Sequence, residues 1–298
     1  MNPVVCAVVV THNRKALLEE CLRALLSQTA PVGTVVVVDN ASTDGTADLL
    51  HRSGLLQDAR LQLHQLPTNV GGAGGFRKGL ELARQSAAEW FWLMDDDTIA
   101  APNALAELHE AYDRFPPTEK PRLLASKVEW TDGTVHPMNL PTIKRAQLEP
   151  DRAVLAAQCA TMSLRWASFV SVLISRAAVE EFGLPWGDYF IWNDDTEYTA
   201  RILRHGFGVL VPHSVVMHKT LHKHSPMDAA PERSYYQVRN VLWMILRGDA
   251  WRTDEKLKIA VVHVQWIARY LARGRFSGAR LRAVARGLWH GLTTAPAQ

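Results

Sequence analysis

Three consecutive carboxylates, Asp95, Asp96 and Asp97, follow directly on the apolar run Trp90-Phe91-Trp92-Leu93-Met94. On an extended chain side chains alternate, so Asp95 and Asp97 should share one side and Asp96 take the other. Carboxylates this close raise one another's pKa unless a cation sits between them. Hard oxygen ligands in that number suit Mg²⁺ or Mn²⁺, usually shared with phosphate oxygens. A second acidic pair, Asp194-Asp195, follows Trp186, Tyr189, Phe190 and Trp192 and precedes a helical pattern from Thr196 to His205. A carboxylate at a helix N-terminus is held ionised by the dipole and nearby N–H groups, which suits a general base. One of the two aspartates should cap that helix, and Gly206 should stop it. Aromatic faces beside carboxylates suit a sugar, although tryptophans serve equally well in a core. His218 closes a short apolar run and would complete a cation site with Asp95 and Asp97. His222 and His224 lie just beyond, but no Cys or Glu joins them at zinc spacing.

The elements that must position these groups read as alternating strands and helices. The run before Asp95 is a strand buried on both faces, and its C-terminal end is where open α/β sheets bind ligands. Pro3 to Val10 reads as a first strand, with Thr11-His12-Asn13-Arg14 as its loop. Leu17, Leu18, Cys21, Leu22, Leu25 and Leu26 recur at helical spacing. Thr34 to Val38 is a second strand ending at Asp39, and Leu61 and Leu63 mark a third. Asn69-Val70-Gly71-Gly72-Ala73-Gly74-Gly75-Phe76 opens a helix expected to run to about Ala88. Its glycines let backbone approach a ligand and present N–H groups at a helix start, though a flexible turn explains them as well. The repeat predicts an α/β fold with a Rossmann-like, doubly wound, mostly parallel sheet. Right-handed crossovers would gather Thr11, Asp39, Asn69 and Asp95 along one edge. Glu197 and Arg201 are spaced to pair on one helix. The stretch 116–149, rich in Pro, Thr and charge, reads as loops with short strands past which an acceptor would run.

The bulk numbers agree with one large or two modest domains: 298 residues, 47% apolar. Cys6, Cys21 and Cys159 make neither a metal spacing nor a disulfide framework, which points to a reducing compartment. The N-terminus has no basic region ahead of its short apolar stretch, so no signal peptide is expected. Beyond Glu255 there is no acidic residue, while Lys256, Lys258, Arg269, Arg273, Arg275, Arg280, Arg282 and Arg286 bring +8. Subtracting that from the +3 of the whole chain leaves −5 for residues 1–255. An acidic body with a basic tail implies an anionic partner for the tail and no chain-wide nucleic-acid surface. Leu257, Ala260, Val261, Val264, Ile267, Ala268 and Leu271 mark one helical face, and the uncharged stretch Ile259 to Ala268 is too short to span a bilayer. A second segment, Phe276 to Leu292, mixes Arg with Leu, Val and Trp289. The tail therefore reads either as helices lying on an anionic membrane or as helices packed on the body with a solvated basic face.

Together these stretches resemble family 2 glycosyltransferases of the GT-A fold. The resemblance rests on Val9–Arg14, Val38–Thr46, Asn69–Phe76, Met94–Thr98, Asp194–Arg201, His218 and Tyr235-Tyr236-x-x-Arg239-Asn240, in the family's order over about residues 4–240. The glycine-rich stretch and Trp-x-Asp-Asp-x-Glu-Tyr are most similar to bacterial galactofuranosyltransferases, and rhamnosyltransferases share much of the pattern. Asn193 separates Trp192 from the aspartates, which the galactofuranosyl enzymes keep adjacent, so both sugars stay open. The resemblance implies an inverting transferase using a nucleotide-diphosphate sugar, UDP- or dTDP-linked, with residues 1–240 as the GT-A domain and 241–298 as a basic amphipathic helical extension. It implies Asp195 as catalytic base, Asp95, Asp97 and His218 as ligands of Mn²⁺ or Mg²⁺, and Thr11, Asn13, Asp39, Asn69, Gly71 and Asp96 around the donor nucleotide. Trp186, Trp192 and Asp194 would meet the acceptor, a glycan or polyprenyl-linked molecule of cell-surface polysaccharide synthesis at the inner, cytoplasmic membrane face. Arg239 would touch phosphate or sit in a buried salt bridge. A sugar-phosphate nucleotidyltransferase would need a glycine-rich loop after the first strand, and Thr11–Lys15 has no glycine. A nucleic-acid-binding protein would use the basic tail, and the acidic body speaks against it.

Overall fold

The computed structural model describes residues 4–221, 230–273 and 277–297. His222, His224, Arg275, Pro3 and Phe276 of the reading above lie outside those residues. The elements in order are β1 (Val5–Thr11), α1 (Lys15–Leu26), β2 (Thr34–Asp39), α2 (Thr46–Arg52), β3 (Leu61–Gln65), α3 (Gly71–Ala83) and β4 (Trp90–Asp95). Then come β5 (Thr98–Ala100), α4 (Ala104–Asp113), β6 (Leu123–Glu129), β7 (Thr142–Ile143), α5 (Pro150–Gln158), β8 (Met162–Trp166), β9 (Val172–Ser175) and α6 (Arg176–Phe182). The chain ends with α7 (Asp194–His205), β10 (Gly208–His218), α8 (Pro231–Leu246), α9 (Thr253–Arg273) and α10 (Gly278–Thr293).

The strands make one sheet ordered β3-β2-β1-β4-β9-β6-β10-β8-β7, with β5 paired beside β10. β1, β2, β3, β4, β6, β7 and β10 run one way, and β5, β8 and β9 run the other. The sheet is thus mixed and mostly parallel, as expected. The antiparallel strand β9, wedged between β4 and β6, was not anticipated, because a four-residue apolar run carries no period of its own. Alternation along β1 sends Val5, Ala7 and Val9 into one core with Leu18, Leu22 and Leu25 of α1 and Leu105 and Leu108 of α4. Cys6, Val8 and Val10 enter the other, with Phe76 and Leu80 of α3 and Tyr198, Ile202 and Leu203 of α7. On β4, Trp90, Trp92 and Met94 join the first core and Phe91 and Leu93 the second, so Asp95 emerges on the α3–α7 side.

Two helix boundaries differ from expectation. α3 ends at Ala83, where the Ser86 hydroxyl donates to the Ala83 carbonyl (2.7 Å) and diverts the chain. α7 begins at Asp194 itself, with Asn193 as N-cap at φ 67°, so neither aspartate caps it. Gly206 does stop α7, at φ −108°; its requirement for glycine is space, since a Cβ would lie 2.9 Å from the Ile202 carbonyl oxygen.

The division expected after residue 240 falls inside α8. Val241, Trp243, Met244, Ala250 and Trp251 share a core with Ala73, Trp186, Tyr189 and Ala200. Buried Arg165 on β8 reaches Glu255 Oε1 (2.7 Å) and stacks over Trp251, which ties the start of α9 to the body. α10 lies close on α8 because Gly287 and Gly291 leave room for Val238 and Leu242. The apolar face read on α9 is split: Ile267 and Leu271 pack with Val238, Tyr270 and Val284, whereas Leu257, Val261 and Val264 stay exposed. Among the described residues no helix is long and apolar enough to cross a membrane.

Candidate active site

Asp95 ends β4, and Asp96-Asp97 turn the chain into β5. β5 pairs antiparallel with β10 so that Thr98 stands opposite His218, and Lys219 N–H donates to the Asp97 carbonyl (2.8 Å). Those two links bring residues over a hundred positions apart to one point. Ligand atoms of Asp95, Asp97 and His218 lie within 4.8 Å of one another. His218 Nε2 is 3.0 Å from Asp97 Oδ1, yet Oδ1 is buried without a well-directed hydrogen bond among the described residues. Ligands at about 2.0–2.6 Å around one hard cation span separations of this size. A buried carboxylate oxygen of that kind, two oxygen ligands and an imidazole fit Mn²⁺ or Mg²⁺.

The charges here are held in tension. Burial, then Asp97, pushes the Asp95 carboxyl up to about 7. Burial likewise raises Asp96, to about 6, against the pull of Arg14. Asp97 is itself buried, but His218 and Arg14 hold its carboxyl below the ordinary value. Burial disfavours the His218 imidazolium, and Asp97 and Asp95 outweigh it and raise the ring. Arg14 Nη1 bridges Asp97 Oδ2 (2.5 Å) and Asp96 Oδ1 (3.4 Å). Thr11, buried at the end of β1, donates its hydroxyl to Asp96 Oδ2 (2.7 Å). Asp96 thus faces β1 while Asp95 and Asp97 face His218, the split expected from alternation.

Asp194 and Asp195 line the same hollow, a cavity of about 460 Å³ also lined by Asp95, Asp96, Asp97, His218 and Trp192 among others. Asp195 Oδ1 accepts from the Thr196 N–H (2.6 Å) and hydroxyl (3.2 Å). Burial raises the Asp195 carboxyl, and bonds from Thr196 and the Phe169 backbone oppose the rise. Burial, Asp195 and Asp95 push the Asp194 carboxyl up as well.

The other expected site residues are placed as follows. Trp192 lines the cavity, but Trp186 does not: it is buried in the core with Tyr189, under the Arg201 guanidinium (5.0 Å), which pairs with Glu197 (3.0 Å). Trp186 borders a separate hollow with Arg77, Phe182 and Arg201. Asp39, at the end of β2, accepts from the Ser42 N–H (2.9 Å). Asn13 accepts from the Thr43 N–H (2.7 Å), joining the β1 and β2 loops. Asn69 Oδ1 accepts from the Gly71 N–H (2.8 Å). Gly71 needs to be glycine for a reason other than a ligand: φ is +76°, and a Cβ would overlap the Phe190 carbonyl. Gly72, with open space around its Cα, is the glycine that lines the cavity.

Several residues escaped the sequence reading. Arg14 was quoted within a motif but given no task. Asn139, in the stretch 116–149, hydrogen-bonds His218 Nδ1 (2.8 Å). Trp166 and Phe169 line the cavity from β8 and the loop after it. Only a polar pair against a ligand histidine would have pointed to Asn139, and that pair is 79 residues apart in sequence.

The family model for glycosyl transferase family 2 matches residues 6–171. The chain is similar to galactofuranosyltransferase GlfT1 of Mycolicibacterium smegmatis, 28% identical over 215 residues, which are 68% of this chain and 66% of that protein. It thus spans just under two thirds of that relative's length. It is also similar to the N-acetylglucosaminyl-diphospho-decaprenol L-rhamnosyltransferase of Mycobacterium tuberculosis, 22% identical over 84% of this chain and 87% of that protein. In fold it resembles a Pyrobaculum calidifontis mannosyltransferase solved with GDP-Man and Mn²⁺, at TM-score 0.58 and 20% identity, over 98% of this chain and 88% of that one.

Proposed function

The chain belongs to glycosyl transferase family 2, and from that premise we propose that it is an inverting, metal-dependent transferase. It moves a sugar, galactofuranose or rhamnose, from a nucleotide-diphosphate donor, UDP- or dTDP-linked, to a glycan or polyprenyl-linked acceptor. One observation carries the reading: Asp95, Asp97 and His218 converge to within 4.8 Å and line one cavity together with Asp194 and Asp195. Asp95, Asp97 and His218 would hold Mn²⁺ or Mg²⁺, which would supply positive charge for the departing diphosphate. Asp195 takes the proton of the acceptor hydroxyl. That oxygen bonds to the anomeric carbon from the side opposite the diphosphate, the carbon–oxygen bond to the diphosphate breaks, and the configuration inverts. Asp194, beside Asp195 on the cavity wall, hydrogen-bonds hydroxyls of the acceptor. Thr11, Asn13, Asp39, Asn69, Gly71 and Asp96 form the edge toward the donor nucleotide, with Gly72 at the cavity itself. Arg14 adds positive charge beside the diphosphate: among the described residues its Nε and Nη2 have no hydrogen-bond partner.

The rhamnosyltransferase's name places a diphospho-decaprenol in its acceptor. An amphiphile of that class suits this chain because Leu257, Val261 and Val264 form an exposed apolar stripe on α9 with Lys256 and Lys258 beside it. Docking there on the inner face of a membrane would bring the cavity to its substrate. The reading is tested by thermal stabilisation with UDP-galactofuranose and dTDP-rhamnose, each with Mn²⁺ and with chelator. Metal-dependent stabilisation by one of them is expected, and none from any nucleotide sugar would overturn it.

A further inference from the structure

Three of the four residues Phe190 to Asn193 have positive φ: Phe190 (63°), Trp192 (67°) and Asn193 (67°). Asparagine visits that region readily; bulky aromatics do not. Such backbone persists only where its surroundings over-determine it. Here the surroundings are two adjacent side chains of α8. Asn240 is fully buried, and its Nδ2 donates toward the carbonyls of Tyr189 (2.9 Å), Ile191 (3.0 Å) and Trp192 (2.8 Å). Its Oδ1 accepts from Arg239 Nε (2.9 Å) and Nη2 (2.8 Å). Arg239 Nη2 also reaches the carbonyls of Asp188 (2.6 Å) and Tyr189 (3.1 Å). The guanidinium lies over Trp243 (4.0 Å) and Tyr236 (5.0 Å) and makes no ion pair among the described residues. Arg239 therefore neither sits in a buried salt bridge nor reaches the cavity, contrary to both sequence readings. Its partners are the backbone of the segment that delivers Asp194 and Asp195.

We propose that Asn240, held by Arg239, is the positioning residue of the catalytic carboxylate: it fixes the left-handed segment that aims Asp195 at the metal side of the cavity. The residue does not line the cavity, so it acts on the reaction only through that segment. The far side of the segment is braced as well. The Phe190 carbonyl accepts from Ala73 N–H of α3 (3.2 Å), and the Phe190 ring stacks on Tyr236 (4.9 Å). The carboxylate pair is thereby set relative to both the glycine-rich helix start and α8. This inference rests on the reading of Asp195 as base.

The test uses the full chain and two variants, Asn240→Ala and Arg239→Lys; the second keeps the charge and loses the planar fork that grips Oδ1. Amide exchange at residues 191–195 should accelerate about tenfold or more in each variant. Turnover should fall about a hundredfold, as displacements of an ångström at a reacting group do. Donor KM and the affinity for nucleoside diphosphate with Mn²⁺ should stay within about twofold of the parent. Unaltered exchange at 191–195, or turnover and nucleotide affinity falling together, would overturn the proposal. Should Asn240→Ala not fold, Arg239→Lys decides alone on the same readings. The exchange measurement needs no turnover: a loosened segment in a chain whose Asp195→Asn variant remains active would keep the clamp and end the assignment of the base.

Discussion

Asn139 Oδ1 lies 2.8 Å from His218 Nδ1, and this one contact decides which imidazole nitrogen faces Asp97. The amide oxygen is turned toward the ring, and Asn139 Nδ2 donates to the Ser168 hydroxyl (3.1 Å). Nδ1 then carries the proton, and the lone pair of a neutral His218 sits on Nε2, toward Asp95 and Asp97. Removing the partner frees the tautomer and the ring. Asn139→Ala should weaken Mn²⁺ binding by about 10–100-fold, as losses of such supporting contacts do. Mn²⁺ titration by calorimetry, with the melting temperature recorded alongside, checks it; unchanged affinity would refute the role.

Metal binding should be strongly pH-dependent. Asp95, raised to about 7 from 3.8, keeps a proton until pH approaches neutral, and His218 is raised from 6.5. A cation must displace those protons, so affinity should rise about tenfold per pH unit for each proton released, as pH climbs from 6 toward 7. Stability without metal runs the other way. Asp95 binds its proton more tightly folded than unfolded, so its contribution declines as pH rises from 3.8 toward 7. His218 contributes fully below 6.5 and loses that contribution as pH rises through its raised folded value. The chelated protein should therefore melt lower at pH 8 than at pH 6, with Mn²⁺ narrowing the gap. An affinity flat from pH 6 to 8 would contradict the ligand set.

Asp97→Asn removes the negative charge that serves both the cation site and the ion pair with Arg14. Activity should become insensitive to added Mn²⁺ at a level about a hundredfold or more below the parent. Thorough chelation of the parent should do the same. Full turnover after chelation would end the metal assignment.

Asp195→Asn keeps the shape of the site and loses the base. Transfer should drop by about 10²–10⁴-fold, while thermal stabilisation by donor and metal persists. Asp194→Asn should cost less, because an amide still hydrogen-bonds acceptor hydroxyls and Asp195 remains to take the proton. Near-normal turnover in Asp195→Asn would remove Asp195 from its role.

The exposed stripe on α9 offers a separate test. The full chain should sediment with vesicles containing anionic lipid and less so with neutral ones. Leu257→Glu with Val261→Glu should abolish that binding and leave transfer to a water-soluble acceptor unchanged, since both side chains point away from the body. Equal binding by that double variant would sever the stripe from the membrane.

Much of this protein was legible in its residues because the signals were local. The apolar run before Asp95 had to be a strand buried on both faces, and period 2 then separated Asp96 from Asp95 and Asp97. A carboxylate pair ahead of a helical pattern placed Asp194 and Asp195 at a helix start, and the motif order supplied the family. Local signals were silent on the rest. Whether Trp186 or Trp192 faced the cavity depended on Arg201 and Glu197 covering one of them. The place of the domain boundary depended on Trp243 and Trp251 joining the core of the preceding body. His218, Asn139 and Asp97 meet because β5 turns back along β10, and Asn240 finds the backbone before Asp194 because α8 crosses behind it. Composition and period describe what a residue prefers near its own neighbours along the chain. Contacts among groups dozens to hundreds of residues apart are selected by the packing of the whole sheet and its helices, and that selection is made only in three dimensions.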